Sequence, residues 1–154
     1  MSVGVSHVAA EMLQAVPFAR TLGIEFVEVD ADADGVHAVV RLPDSPAHHN
    51  HVGGPHAGAL FTLGETASGA VVLAAFGSVL DRAVPLAVRA EIGYRRLAMG
   101  PVLAKARLGR AVDEVLAELD AGVRPEFPVS VEVTTEDGTV TSELTVIWTL
   151  RPAG

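Results

Sequence analysis

Glu65 is the only ionisable side chain between Ala57 and Leu80. A carboxylate in so apolar a stretch is costly to bury, because leaving water favours its neutral form over its charged one. An acid kept at such a place points to proton transfer or nucleophilic attack. Just upstream, His48-His49-Asn50-His51-Val52-Gly53-Gly54-Pro55-His56 gathers hydrogen-bonding side chains and glycines and delivers them to the start of the apolar stretch. Together the two features suggest an active site. Plainer readings stand beside this one. Glu65 could pair with a buried arginine or face an irregular surface, Asn50 could close an Asx turn, and His56 could make a structural hydrogen bond.

Other chemistries are poorly supported. The loop histidines lack firm ligand spacing and no acid lies between Ser45 and Leu63, so no metal is expected there. No serine sits in a nucleophile-elbow context. Gly53-Gly54-Pro55 lacks the lysine of a phosphate-binding loop.

The elements that must position these groups follow from periodicity. Val8, Met12, Leu13 and Val16 repeat at near-helical spacing and predict an N-terminal accessory helix over about 6–22, with Ser6 as cap and Gly23 as stop. Strands are expected at 24–29 and 36–42 around the turn Asp30–Gly35. The stretch from Ala57 to Leu80 reads as one long helix, with Pro55 at or before its first turn. Alternation then predicts a half-buried strand with Val84, Leu86, Val88, Ala90, Ile92 and Tyr94 on one face, and a second strand at 102–108. A short inserted helix over 112–121 precedes strands at 127–133 and 140–150, joined through the tight turn Asp137-Gly138. Sequential strands favour antiparallel pairing, and such a sheet needs one face covered. The expected architecture is therefore α+β, a six-stranded antiparallel sheet wrapped around one long central helix, in a single domain over 1–154.

Composition narrows the function classes. With 154 residues, 49% hydrophobic and 19% charged, the chain suits one core and a surface part-covered by another subunit. The absence of cysteine excludes disulfides, thiolate metal sites and cysteine nucleophiles, and fits a cytoplasmic setting. Met1–His7 lacks a secretory pattern, so the whole chain is expected to be mature. A net charge of −8 opposes general nucleic-acid binding. Within that balance Arg89, Arg95, Arg96, Lys105, Arg107 and Arg110 cluster, either as a face for a phosphorylated small molecule or as ordinary outward strand residues. The long helix has the length of a membrane span. Its many Gly, Ser and Thr residues and a central acid costing about 2.5 to 3.5 kcal/mol on insertion favour a buried core helix and no membrane.

The segment Asn50-His51-Val52-Gly53-Gly54-Pro55-His56-Ala57-Gly58-Ala59-Leu60-Phe61-Thr62-Leu63-Gly64-Glu65 resembles the helix-entry motif of the hot-dog-fold thioesterases, nearest to the phenylacetate-pathway type and a related uncharacterised bacterial branch. The resemblance implies hydrolysis of an acyl-coenzyme A thioester by a homodimer or dimer of dimers, without a cofactor. It implies Glu65 as general base or nucleophile, backbone N–H groups of Ala57 and Gly58 polarising the carbonyl, Asn50 orienting water or substrate, and His56 as the histidine before the helix. Where relatives often carry His-Gly-Gly, this chain has His56-Ala57-Gly58, and Gly69 stands where some carry a hydroxyl that Thr66 or Ser68 would have to supply. Tyr94, Arg95 and Arg96, at a strand end flanking the groove, would contact coenzyme A, or are simply solvated.

The chemistry suits these groups. Thioester hydrolysis builds negative charge on the carbonyl oxygen, and losing one fixed donor to it typically costs about 2.7 to 4 kcal/mol. A helix N-terminus supplies such donors from its unpaired N–H groups and partial positive charge. Ala57 and Glu65 lie about 12 Å apart along a helix axis, at about 1.5 Å per residue, so one carbonyl cannot easily meet both. Antiparallel central helices in a dimer would bring Glu65 of one chain to the Ala57-Gly58 turn of the other. Small residues at Gly64, Ala67, Ser68 and Gly69 leave room for a medium-chain or aromatic acyl group. The competing readings are a non-catalytic hot-dog binder of acyl-coenzyme A or a lipid-like ligand, and a hot-dog hydratase, which would require an acid–histidine pair around the central helix.

Overall fold

The computed structural model describes residues 4–33 and 35–153. Met1, Ser2, Val3, Asp34 and Gly154 lie outside the described residues, and with them part of the expected 30–35 turn and of the N-terminal segment.

The chain runs α1 (Val5–Ala15), α2 (Pro17–Thr21), β1 (Glu25–Asp32), β2 (Gly35–Leu42), α3 (Ala57–Phe76), β3 (Ala83–Tyr94), β4 (Val102–Leu108), α4 (Val112–Asp120), β5 (Glu126–Thr135) and β6 (Val140–Pro152). The six strands form one sheet in the order β1-β2-β4-β5-β6-β3, every neighbouring pair antiparallel. The chain leaves β2 through α3 and returns as β3 on the opposite edge, so α3 crosses the sheet's face. Leu63, Ala67, Ala70, Val71 and Phe76 of α3 are fully buried, and the Phe76 ring meets Phe127 of β5 at 4.9 Å between centroids. By length and apolar content the Ala57–Val79 stretch could cross a membrane, yet 61% of its most apolar window is buried within the protein. It serves as the core helix of the sheet.

Gly64 explains how closely α3 lies on the strands. A Cβ there would stand 2.5 Å from Leu144 Cδ2 on β6, so any larger residue would have to displace that side chain, one residue before Glu65. The helix stops at Phe76 rather than Leu80 and continues as a 3-10 turn over Gly77–Val79, where Gly77 and Ser78 weaken helix propensity.

Two sequence expectations change in the structure. The single helix expected over 6–22 is two helices, because Val16 leaves the helical region ahead of Pro17, whose ring disfavours helix in the preceding residue. Ser6 lies inside the first turn of α1, and Gly4 takes the cap position. In β3, Val88 is a bulge: Ala87 pairs with Trp148 and Arg89 with Ile147, leaving Val88 unmatched. Its six expected co-facing residues therefore divide. Ala90 and Ile92 pair with the buried Val146 and Leu144 and face inward, as does Tyr94, while Val84 and Leu86 face out. As an edge strand, β3 is exposed from Ala87 to Glu91 rather than half-buried.

Candidate active site

The loop into α3 is built around Asn50. Its Oδ1 accepts from the backbone N–H of Val52 (3.0 Å) and Gly54 (3.2 Å), and its Nδ2 donates to the Pro55 carbonyl (3.3 Å). This is Asx-type geometry that closes the loop on itself, reinforced by the Asn50 N–H bond to Gly54 O at 2.8 Å. Gly54 packs so tightly on the Ala98 carbonyl that no Cβ would fit, which pins the loop to the segment after β3. His56 then caps α3: its Nδ1 accepts from Gly58 N–H at 2.8 Å. The Gly58 donor is thus occupied, whereas Ala57 N–H has no partner among the described residues. Tyr94 donates its hydroxyl to Ala57 O at 3.0 Å, tying the end of β3 to the start of the helix. Burial pushes the Tyr94 phenol above its ordinary pKa.

Glu65 stands just over two turns further along α3, on the side flanked by α1 and Trp148. Its carboxylate has no ion pair or hydrogen bond among the described residues, and burial raises its pKa above the ordinary carboxylate value. It opens into a cavity of about 310 Å³ between α1, α3 and the start of β3, with Trp148 as one wall. Thr66 shares this cavity. Ser68 does not: it is fully buried, donating to the Glu65 carbonyl at 2.7 Å and accepting from Trp148 Nε1 at 3.0 Å. This chain of bonds fixes the helix turn that carries Glu65 against β6.

Two further hollows flank the helix start. Asn50, Ala57, Tyr94, Arg95 and Arg96 line one of about 370 Å³. His56, Gly58 and Tyr94 line the other, of about 680 Å³, with Phe18, His48 and Phe61. The residues singled out from sequence therefore gather around the N-terminal half of α3, but within one chain Glu65 opens into a different cavity from Ala57 and Gly58. Phe18, Met12, Glu11 and Trp148 escape sequence reasoning as site residues, because no local pattern says that the N-terminal helices and this part of β6 lie beside α3. His48 carries a weak signal: its Nδ1 is buried without a partner among the described residues, while the neighbouring His49 pairs with Asp44 at 2.6 Å.

Of the basic residues noted in the sequence, Arg95, Lys105 and Arg107 line one open groove together with Glu91, Glu132 and Glu143, while Arg89, Arg96 and Arg110 are not part of its lining. Arg110 is held by Glu118 at 2.9 Å, Arg89 lies 3.7 Å from Glu126, and Arg95 lies 3.7 Å from Glu143. Lys105 and Arg107 face outward on β4, with Lys105 cross-strand from Glu132. Among the described residues, the ligand-type atoms that converge as a metal would need belong to Glu28, Asp30 and His37 on the β1–β2 hairpin. They lie outside the loop that enters α3.

A six-stranded antiparallel sheet curled around one helix, with polar groups at that helix's start, defines the hot-dog fold of the thioesterases. The chain belongs to the family described as a domain of unknown function, DUF4442, whose model matches residues 4–150. Among solved structures it is similar to a Pseudomonas aeruginosa protein of unknown function described as a probable thioesterase, at 25% identity, 99% coverage of each chain and a TM-score of 0.80. A thioesterase family protein from Silicibacter pomeroyi (18% identity, 97% of this chain and 100% of the other, TM-score 0.71) shares the fold. So does the PaaI protein of the E. coli phenylacetic acid degradation operon (17% identity, 98% and 97%, TM-score 0.67). No curated protein matches the chain.

Proposed function

We propose that this chain, as a single hot-dog domain over residues 1–154, hydrolyses acyl-coenzyme A thioesters in the cytoplasm. The observation that carries the reading is the unpartnered, half-buried carboxylate of Glu65 opening into an apolar cavity on the central helix. Its similarity to a probable thioesterase over nearly the whole chain supports the same class of reaction.

The thioester carbonyl lies against the N-terminus of α3, where Ala57 N–H donates to the developing oxyanion. Gly58 leaves room for the capping ring of His56, because a Cβ there would come within 3.2 Å of His56 Nδ1. Glu65 takes a proton from water as the oxygen attacks the carbonyl carbon, then returns it to the sulfur as the C–S bond breaks. Alternatively, the carboxylate attacks the carbon itself, the C–S bond breaks and coenzyme A leaves as its thiolate. Water then opens the resulting anhydride to the free acid and the Glu65 carboxylate, and the proton it releases goes to the thiolate. Asn50 holds the loop, while Tyr94, Arg95 and Arg96 receive the coenzyme A part.

The separation of Glu65 from the helix start favours a site completed across a homodimer, with Glu65 from one chain and Ala57 from its partner. The exposed edge of β3 offers a second copy an unpaired strand. In a thiol-release assay over an acyl-coenzyme A panel, the wild type should turn over and Glu65→Gln should lose about 100- to 10,000-fold in kcat while remaining folded. A second reading, a binder without turnover, is favoured by Gly69, which offers no hydroxyl, and by Ser68, whose hydroxyl is engaged by Trp148. Tight binding with no thiol release from any substrate would establish that reading instead.

A further inference from the structure

The cavity beneath Glu65 has a composition that selects its occupant. Helix α1 supplies Glu11, Met12 and Ala15 to one side, with Val16 just beyond its end, and Gly69 and Trp148 supply the other. Apart from Glu11, Glu65 and Thr66 the lining is apolar, and none of the described residues lining it is basic. Its volume of about 310 Å³ sits at the small end of the range for ligand pockets, about 300 to 1,000 Å³. At Gly69 the two helices come close: a Cβ added there would stand 3.1 Å from Met12 Cε. The two acids in the chamber leave an entering anion without a counter-charge. Exposed His7, 2.9 Å from Glu11, is not among the lining residues.

We propose that this cavity is the acyl chamber, that it takes compact, uncharged apolar acyl groups such as octanoyl or benzoyl, and that Glu11 rejects acyl groups ending in a carboxylate. The proposal deepens the thioesterase reading by naming its substrate class. It also makes α1 the element that sets specificity, with Met12 and Gly69 as its gauge. Stripping water from a carboxylate in an apolar cavity is costly, and exposed Glu11 adds a like charge at the rim, so succinyl should trail octanoyl by about a hundredfold or more. A palmitoyl chain exceeds the chamber and should also be disfavoured.

Because Trp148 is the only tryptophan in the chain and lines the chamber, binding can be read without turnover. Non-hydrolysable thioether analogues of octanoyl-, benzoyl-, succinyl- and palmitoyl-coenzyme A are titrated against the full chain while Trp148 emission is followed. The expected result is tight binding with an emission change for octanoyl and benzoyl, and weak binding for succinyl. Gly69→Leu, which adds a good helix former, should fill the chamber and weaken the octanoyl analogue at least tenfold. Glu11→Lys, at an exposed position, should narrow the octanoyl-to-succinyl ratio at least tenfold. Unchanged octanoyl binding in Gly69→Leu, or equal wild-type affinity for succinyl and octanoyl, overturns the proposal. If the binding pattern holds while no acyl-coenzyme A is hydrolysed, the chamber stands and the hydrolase reading falls.

Discussion

Glu65 sets function against stability. Burial raises its pKa, so the folded protein retains the Glu65 proton over a pH interval in which the unfolded chain has already lost it. Stability must therefore fall as pH climbs from the ordinary glutamate pKa, about 4.3, to the raised folded value, and level off above it. Glu65→Gln lacks that interval. In denaturant titrations from about pH 4 to about pH 8, it should gain on the wild type as pH rises and then hold a constant lead. A wild type that is the more stable at neutral pH would reveal a favourable partner for the carboxylate. Activity should run the other way, because the base or nucleophile works only when ionised, so the acid limb of kcat/KM should lie above the ordinary glutamate range. Ala57 allows an equally sharp test. Its N–H is unpartnered, it stands at the first helical position where proline is tolerated, and His56 already holds the extended conformation that proline demands of its predecessor (φ −61°, ψ 146°). Ala57→Pro should keep the fold and lower kcat about 100- to 1,000-fold by removing one donor. Undiminished turnover would place the oxyanion elsewhere. Glu65 stood out in the sequence because the residues around it carry no other charge. Asn50 did not resolve so readily, since an Asx turn and a water-orienting amide demand the same residue in the same loop, and only its bonds to Val52, Gly54 and Pro55 display the first of these roles.

At the scale of elements, α3 owes its position to a few close approaches. Gly64→Ala would improve helix propensity by about 1 kcal/mol in isolation, yet it forces the buried Leu144 side chain out of place. The net effect should be a loss of about 1 to 3 kcal/mol from overpacking, measured as a shift in denaturant midpoint without change in slope. An unchanged or raised midpoint would mean that the β6 contact relaxes freely. The central helix, the β1–β2 hairpin and the Asp137-Gly138 turn were legible because each rests on local chemistry: apolar content, turn residues, or a glycine at φ +88°. The bulge at Val88 was not, because an extra residue leaves the alternation intact in sequence and shifts its phase only once β6 is alongside. Likewise the placement of α1 beside Glu65 depends on where α3 lies, which the spacing of Val8 and Met12 cannot report. These two hidden features decide what surrounds the site. The bulge turns Tyr94 inward to reach Ala57, and α1 closes the cavity under Glu65.

At the scale of the whole molecule, one chain holds both halves of the proposed chemistry without joining them. Ala57 and Glu65 open into separate hollows on the same helix, and about 12 Å of helix rise lies between them. If two copies pair with their central helices antiparallel, each dimer has two sites, and each site takes its acid from one chain and its donor from the other. The arrangement makes a quantitative demand on mixtures. Glu65→Gln and Ala57→Pro should each be nearly inactive alone, because every site in either homodimer carries a lesion. In a mixed dimer the two lesions fall into the same site, leaving the other site with an intact Glu65 facing an intact Ala57. After the two variants are mixed, partly unfolded and refolded together, thiol release should recover toward one working site per mixed dimer, with mixed dimers forming about half of a random population. Tagging each variant differently and purifying the doubly tagged species should concentrate the recovered activity in that fraction. If each chain instead builds its site from its own Glu65 and its own Ala57, every site in the mixture still contains a lesion, and no recovery appears however completely the chains exchange.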